Sequence, residues 1–145
     1  MLRIKTITPQ QTHAVRQPVL RPGLPESSCI FPGDELATTT HLGIYDGDKL
    51  AGILSLFENT NNLFEAEKQF QIRGMAVLPE YQKKGLGEKL MEEAEQHARN
   101  NNAALVWCNA RKSATGFYKK TGYRSTGSPF DIPGVGIHYV MYKHL

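Results

Sequence analysis

Leu2, Ile4 and Ile7 stand against Arg3 and Lys5, the near-alternation of a half-buried strand over residues 2–8. Thr8 followed by Pro9 predicts a helix opening, with Thr8 as N-cap and Pro9 in the first turn, and a helix reaching about Leu20. Pro22, Gly23, Pro25, Pro32 and Gly33 then break any period, so residues 21–38 read as an irregular loop. Two apolar-rich runs, 39–45 and 49–58, flank Asp46-Gly47-Asp48 and predict a hairpin. A polar connection over 59–68 leads to a strand at 70–78 and a short turn containing Pro79. Leu86, Leu90, Ala94 and Ala98 recur every four residues, one face of a helix that Asn100-Asn101-Asn102 should end, since Asn accepts the left-handed conformation. Residues 103–108 (AALVWC) are apolar on both faces, as an interior parallel strand requires. With strand 70–78 and the intervening helix they make a right-handed βαβ unit. Ser113 is expected to cap a helix running to Lys120 and stopped at Gly122. Strands at 123–126 and 136–142, around a turn at 128–134, would close the sheet. The predicted class is α/β, a mixed sheet with helices on both faces.

Composition narrows this little. A chain of 145 residues, 40% hydrophobic and 21% charged, suits one domain with a sizeable core, and no repeat or linker divides it. No apolar run approaches a membrane span and residues 1–10 lack a secretory apolar core, so a cytoplasmic protein without membrane contact is expected. Cys29 and Cys108 show no metal-ligand spacing; no metal is expected, and both read as buried fillers. Charge is more informative. The net +3 divides into 6 basic and 8 acidic residues over 1–72, against 11 and 6 over 73–145. Arg111, Lys112, Lys119, Lys120 and Arg124 lie in a stretch without an acid. Such a cluster fits a solvated helix face, a nucleic-acid surface or an anionic cofactor.

Gln82-Lys83-Lys84-Gly85-Leu86-Gly87 stands between a strand and a helix. Two glycines and two lysines at a helix start combine unpaired N–H groups, the positive end of the helix dipole and mobile cations, which suits phosphate. The dinucleotide fingerprint fails because Leu90 occupies the third glycine position, and no G-x-x-x-x-G-K-[ST] is present. What remains, Q-x-x-G-x-G, resembles the acetyl-CoA pyrophosphate loop of the GCN5-related N-acetyltransferases (GNAT), whose pattern is [RQ]-x-x-G-x-[GA].

Three further stretches carry the resemblance. Met75-Ala76-Val77-Leu78-Pro79 is similar to the apolar-V-x-P end of the strand before that loop, and Ala114 to Tyr123 (ATGFYKKTGY) follows the family's A-x-x-[FL]-Y-x-x-x-G-[FY]. Ile132 to Met141 resembles the closing strand of small bacterial members. The likeness is strong over about residues 70–142 and extends to the N-terminal half only in the order of elements. It implies a mixed, mostly antiparallel sheet with a central parallel strand pair, filled by a single N-acetyltransferase domain over 1–145. It also implies acetyl-CoA as co-substrate and a primary amine of a small molecule or peptide as acceptor. Met75, Ala76 and Val77 would lie along pantetheine, with a main-chain N–H near Met75 polarising the thioester carbonyl. Gln82, Lys83, Lys84, Gly85, Leu86, Gly87 and Glu88 would hold the pyrophosphate, and Asn109 the cofactor arm. A homodimer through the closing strand is common among similar proteins. Nucleic acid is then not expected as a partner, because the basic residues lie where cofactor phosphates would go.

Acetyl transfer needs a base for the ammonium proton, a donor for the oxyanion and an acid for the departing thiolate. Tyr118 takes the family's acid position, its ordinary pKa of about 10 suiting a thiolate near ~8.5. Some members place a Glu on the central strand as base; here Gln71 and Arg73 stand instead. Glu58, His138 and His41 remain as candidate bases. Asp34 and Glu35 could bind a cationic acceptor, while Arg16, Arg21 and Arg73 could receive a carboxylate or phosphate. The loop 21–38 is expected to wall the acceptor site, and His13, His97 and His144 to lie on the surface. A fold that binds CoA as a sensor without transferring acetyl is the alternative.

Overall fold

The computed structural model describes residues 1–145. Seven strands run as β1 (Leu2–Ile7), β2 (Thr40–Asp46), β3 (Lys49–Glu58), β4 (Gln69–Val77), β5 (Leu105–Arg111), β6 (Arg124–Ile132) and β7 (Gly136–His144). They form one sheet in the order β1-β2-β3-β4-β5-β7-β6. The β4–β5 pair is parallel, whereas β1–β2, β2–β3, β5–β7 and β6–β7 are antiparallel. The mixed, mostly antiparallel sheet with one parallel pair is the class expected from the sequence. Contacts gather the chain into two compact units, Met1–Phe57 with Arg73–Ala94, and Glu58–Ile72 with Glu95–Leu145.

In the first unit the β2–β3 hairpin turns through Gly47 and Asp48, between the paired Asp46 and Lys49. Only Gly47 has positive φ (59°), the geometry of a two-residue turn with glycine first. Thr8 and Gln11 close a reciprocal capping box: Gln11 N–H donates to Thr8 Oγ1 and Thr8 N–H to Gln11 Oε1. The regular helix expected over 9–20 does not follow. A 3₁₀ turn (Gln10–Thr12) leads into the short α1 (His13–Val15) and a π-helical turn, Arg16–Leu20. Pro18 is the physical cause: it offers no N–H to the carbonyl four residues back, and the chain widens until Arg21 N–H reaches Arg16 O at 3.0 Å. Ile7, Val15, Ile53 and Ala76 form the apolar centre of this unit. Gly74 interrupts β4 with φ 62°, a backbone state that L side chains disfavour.

In the second unit β4 pairs with β5 from Gln69–Leu105 to Ile72–Cys108. Strand β5 runs on to Arg111, three residues beyond its expected end, because β7 pairs with it throughout. Leu105, Trp107 and Val140 centre the core there, flanked by Phe64, Ala66, Phe130 and Tyr142. Ser113 caps no helix: a 3₁₀ turn (Lys112–Ala114) precedes α3 (Thr115–Lys120), and Thr115 Oγ1 donates to Lys112 O. The closing hairpin is longer than expected, with β6 bulged between Thr126 and Phe130.

Helix α2 (Leu86–Asn100) belongs to the first unit through Ala94 and to the second from Glu95. Leu86, Leu90, Ala94 and Ala98 are all buried, so the four-residue period was its core face. Its end is a Schellman motif: Asn102 has φ 63°, its N–H reaches Arg99 O, and Ala103 N–H reaches Ala98 O. The Asn run performs the stop expected of it.

Candidate functional site

Between β4 and α2 the chain makes one 3₁₀ turn, Pro79–Tyr81, and then an extended Gln82 whose Nε2 donates back to Val77 O. Lys83 and Gly85 both take positive φ, 62° and 83°. A lysine in that state costs about 1–2 kcal/mol relative to a relaxed backbone. Lys84 thus stands between two residues of positive φ, a feature shared with the backbone nests that bind anions. A Cβ placed on Gly85 would meet no atom within 4 Å, so the space beside it is open. The helix then begins at Leu86, which is buried, as is Gly87, while Glu88 occupies the first turn. Lys83 and Lys84 are exposed, the latter 5.7 Å above the Tyr81 ring. Tyr81 is itself anchored, donating to Asp46 Oδ2 at 2.9 Å. Upstream on β4, Ala76 is buried while Met75 and Val77 are half-buried. These residues, Met75 to Glu88, all lie in the first unit.

Glu58, Asn109, Tyr118 and His138 lie in the second. Tyr118 is 8% exposed, with its ring edge-on to Phe117 and Tyr123. Its hydroxyl interacts with the thiol of Cys108. Burial is the main reason its pKa lies well above the usual phenol value, with Cys108 adding to the effect. Burial also pushes the Cys108 thiol up to about 12. Tyr118 therefore holds its proton more firmly than the ordinary phenol considered above. Asn109 is an exposed residue within β5, opposite Val140, rather than at the strand's end. His138 is buried, and its Nδ1–H must donate to Gly136 O at 2.8 Å because a carbonyl can only accept. That leaves Nε2 with its lone pair. Glu58 is exposed at the end of β3, 3.8 Å from Lys68 Nζ. Neither Glu58 nor His138 is hydrogen-bonded to Tyr118.

One arrangement in the first unit was not legible in the sequence. Arg16 is fully buried and forks onto Asp34, Nη1 to Oδ2 at 2.6 Å and Nη2 to Oδ1 at 3.0 Å. It also donates to Cys29 O and Ser55 Oγ. His41 completes the network through Nδ1 to Ser55 Oγ and Nε2 to Asp34 O. Burial alone would raise the Asp34 carboxyl, but hydrogen bonds from Arg16 and the Phe31 N–H, with the charges of Arg16 and His41, hold it below its ordinary value. The readings of Asp34 as an acceptor ligand, Arg16 as an anion receptor and His41 as a base are thereby corrected: each is consumed by the others. Glu35, exposed, accepts from Gln10 Nε2. His13 is likewise not a loose surface group, since it meets Glu26 Oε2 at 3.0 Å. Glu95 plays the corresponding part in the second unit, accepting from Tyr123 Oη and Lys143 Nζ, both at 2.9 Å.

The model of the acetyltransferase (GNAT) domain matches residues 34–144. The uncharacterized N-acetyltransferase YitI of Bacillus subtilis (strain 168) is 37% identical over 145 residues, covering 100% of this chain and 97% of that protein. A Bacillus subtilis acetyltransferase crystallised in complex with CoA superposes with a TM-score of 0.71 at 19% identity, over 100% of this chain and 99% of the other. Ard1 of Thermoplasma volcanium superposes with a TM-score of 0.79 at 16% identity, over 99% and 97%. The matched residues 34–144 take in parts of both units.

Proposed function

The chain belongs to the GNAT acetyltransferase family and is an acyltransferase; from that premise we propose that its donor is acetyl-CoA and its acceptor a primary amine, of a small molecule or a peptide, which attacks the thioester directly. The observation that carries this is the turn from Gln82 to Gly87. It presents left-handed Lys83 and Gly85, two exposed lysines and the first N–H groups of a 15-residue helix, all immediately after β4. The open space at Gly85 fits a bound pyrophosphate, which needs close backbone approach. The two units together serve as one acetyltransferase domain.

The roles follow from what the chemistry needs. Backbone groups of Met75, Ala76 and Val77 pair with the amides of pantetheine, and a main-chain N–H near Met75 stabilises the oxyanion. Gln82, Lys83, Lys84, Gly85, Leu86, Gly87 and Glu88 supply the phosphate cradle, mostly through the main chain; Asn109, exposed on β5, offers an amide to the cofactor arm. Tyr118 donates to the leaving thiolate; burial holds its proton more firmly than in an ordinary phenol, so its part is to hydrogen-bond the charge that develops on sulfur, with proton transfer following late. Of the two candidate bases, His138 has the better credentials, because donation to Gly136 O fixes the tautomer that keeps Nε2 basic. Glu58, exposed at the end of β3, is the other base, acting directly or through water.

Calorimetric titration with acetyl-CoA, with CoA and ATP as controls, tests the donor site. Micromolar binding that falls at least tenfold in Gly85→Val supports the cradle. Unchanged affinity in that variant removes the loop from the site. Thiol release on adding an amine panel to the acetyl-CoA complex then separates a transferase from a sensor that only binds.

A further inference from the structure

Phe31 is the centre of a cluster in the first unit that the reading above does not use. Its N–H donates to Asp34 Oδ2 at 2.9 Å, so the Arg16–Asp34 pair fixes its backbone. Its ring carries three guanidinium groups: Arg16 at 3.9 Å from the centroid, Arg21 at 5.1 Å and Arg73 at 5.4 Å. Arg73 lies also 5.2 Å from the Phe57 ring. Asp34 neutralises Arg16. No carboxylate approaches Arg21 or Arg73 within 4.0 Å, so the cluster holds two uncompensated cations. Arg21 spends one donor on Leu20 O, and Arg73 makes a single long contact of 3.5 Å to Pro32 O. Each guanidinium has five N–H groups, and one lying on an aromatic face keeps in-plane donors for a planar anion. Two half-buried like charges on one ring oppose folding, and burial lowers the pKa of Arg73, with only Asp34 opposing Arg16 and Arg21. Such frustration persists where function requires it.

The backbone of β4 comes close to this cluster at Gly74: a Cβ there would lie 3.0 Å from Phe31 Cε2 and 3.4 Å from Arg16 Nε, so only glycine fits against the ring. Arg16 Nε is the one buried side-chain polar atom with no hydrogen-bond partner. Arg73 precedes that glycine and stands two residues before Met75, at most about 7 Å away along the chain. An anion held at Arg73 would thus sit a few bonds' length from an amine aimed at a thioester beside Met75.

We propose that Arg21 and Arg73, laid against Phe31, are the anion site of the acceptor, so that the acceptor is a primary amine bearing a carboxylate a few bonds from its nitrogen. This rests on the acetyltransferase reading for its chemistry but not for its binding. The acceptor's amine nitrogen forms the new N–C bond, the C–S bond of the thioester breaks, and the departing thiolate takes a proton while the ammonium loses one. Arg21 and Arg73 hold the carboxylate throughout and exchange no proton. They are specificity residues, and the Arg16–Asp34 pair positions them through Phe31.

The test uses the full chain and two readouts. Free amino acids, the amines left by removing their carboxyl groups, and phosphoethanolamine against ethanolamine are compared by thiol release from acetyl-CoA and by thermal shift without it. Expected is at least a tenfold preference in kcat/KM for carboxylated over decarboxylated partners. In Arg21→Gln and Arg73→Gln, KM for the carboxylated acceptor should rise at least tenfold while acetyl-CoA affinity changes less than twofold, as loss of a charged hydrogen bond implies. Arg73→Lys should recover part of that loss. Equal use of the paired amines overturns the anion site and leaves the transferase standing. Carboxylate-dependent thermal shifts without any thiol release sink the transferase and leave the site. A preference confined to phosphoethanolamine overturns the carboxylate in favour of phosphate, and the absence of both shift and turnover overturns the proposal outright.

Discussion

Each unit buries one carboxylate among hydrogen-bond donors, and the two settings differ in what surrounds them. Glu95 accepts from Tyr123 and Lys143, one acid with one cation, and charge balance is complete. Asp34 also takes one cation, Arg16, in bidentate geometry, but two further arginines crowd the aromatic ring that this pair holds in position. A balanced network needs no ligand and is sufficient as framework. An unbalanced one keeps a surplus charge, and surplus charge in a partly desolvated setting is what an anionic ligand would relieve. The same elements, an acid, a base and an aromatic ring, thus serve packing in one place and point to recognition in the other.

Removing one partner of the buried pair is the most severe way to probe this contrast. Arg16→Met leaves Asp34 buried without its counter-charge and should cost about 3–5 kcal/mol in urea unfolding. Arg16→Met with Asp34→Leu should recover most of it, and failure to recover would mean that the network's hydrogen bonds to Cys29 and Ser55, not charge pairing, dominate. The neighbouring phenols of the second unit sharpen the distinction between framework and reaction. Tyr118→Phe should lower kcat by about 10²-fold or more while acetyl-CoA affinity changes little; equal losses in both would assign Tyr118 to packing. Tyr123→Phe, 5.8 Å away by ring centroids, should do the opposite. It removes one hydrogen bond from Glu95, costs about 1–2 kcal/mol of stability and leaves turnover as it was. A fall in turnover matching that of Tyr118→Phe would erase the contrast.

The smallest effect is in acid. The Asp34 carboxyl is held below its ordinary value in the folded chain. Its contribution is therefore fully present above the unfolded value of about 4 and is lost as pH falls through the lower folded value. Stability measured by urea unfolding from pH 5 down to pH 2 should fall more steeply in the parent chain than in the Arg16→Met/Asp34→Leu variant. Equal slopes would remove Asp34 from the acid response.

Much of the candidate site was legible in local sequence. The glycines and lysines from Gln82 to Gly87 describe a helix start that needs open backbone, and the structure gives Gly85 its positive φ. The run ATGFYKKTGY placed Tyr118 on a short helix before a glycine stop, and Gly122 indeed takes φ 99°. Most of what misled was non-local. Ser113 looked like a cap, but neighbouring backbone bonds close that turn without it. Asn109 looked like a strand end, but β7 extends the pairing past it. Pro18 was visible in a helix-like period, yet whether it breaks or merely widens the helix depends on packing that the period does not record. His41 and Asp34 carried the right chemistry for a site and were withdrawn from it by partners far away in sequence, Ser55 and Arg16.

Sequence by itself therefore determined those features whose cause lies within a few residues: the hairpin at Gly47, the core face of α2, its Schellman stop and the glycine-bearing turn that opens α2. Backbone conformation and helical period are local quantities, and a residue's neighbours set them. Only the tertiary structure decided which charges are neutralised. Arg16, Arg21 and Arg73 are equivalent as letters, and the difference between a buried strut and an available anion receptor is whether a carboxylate comes within hydrogen-bonding distance. Asp34 reaches Arg16 and does not reach the other two, because the fold brings residue 34 against residue 16 while Phe31 holds all three guanidinium groups on one ring.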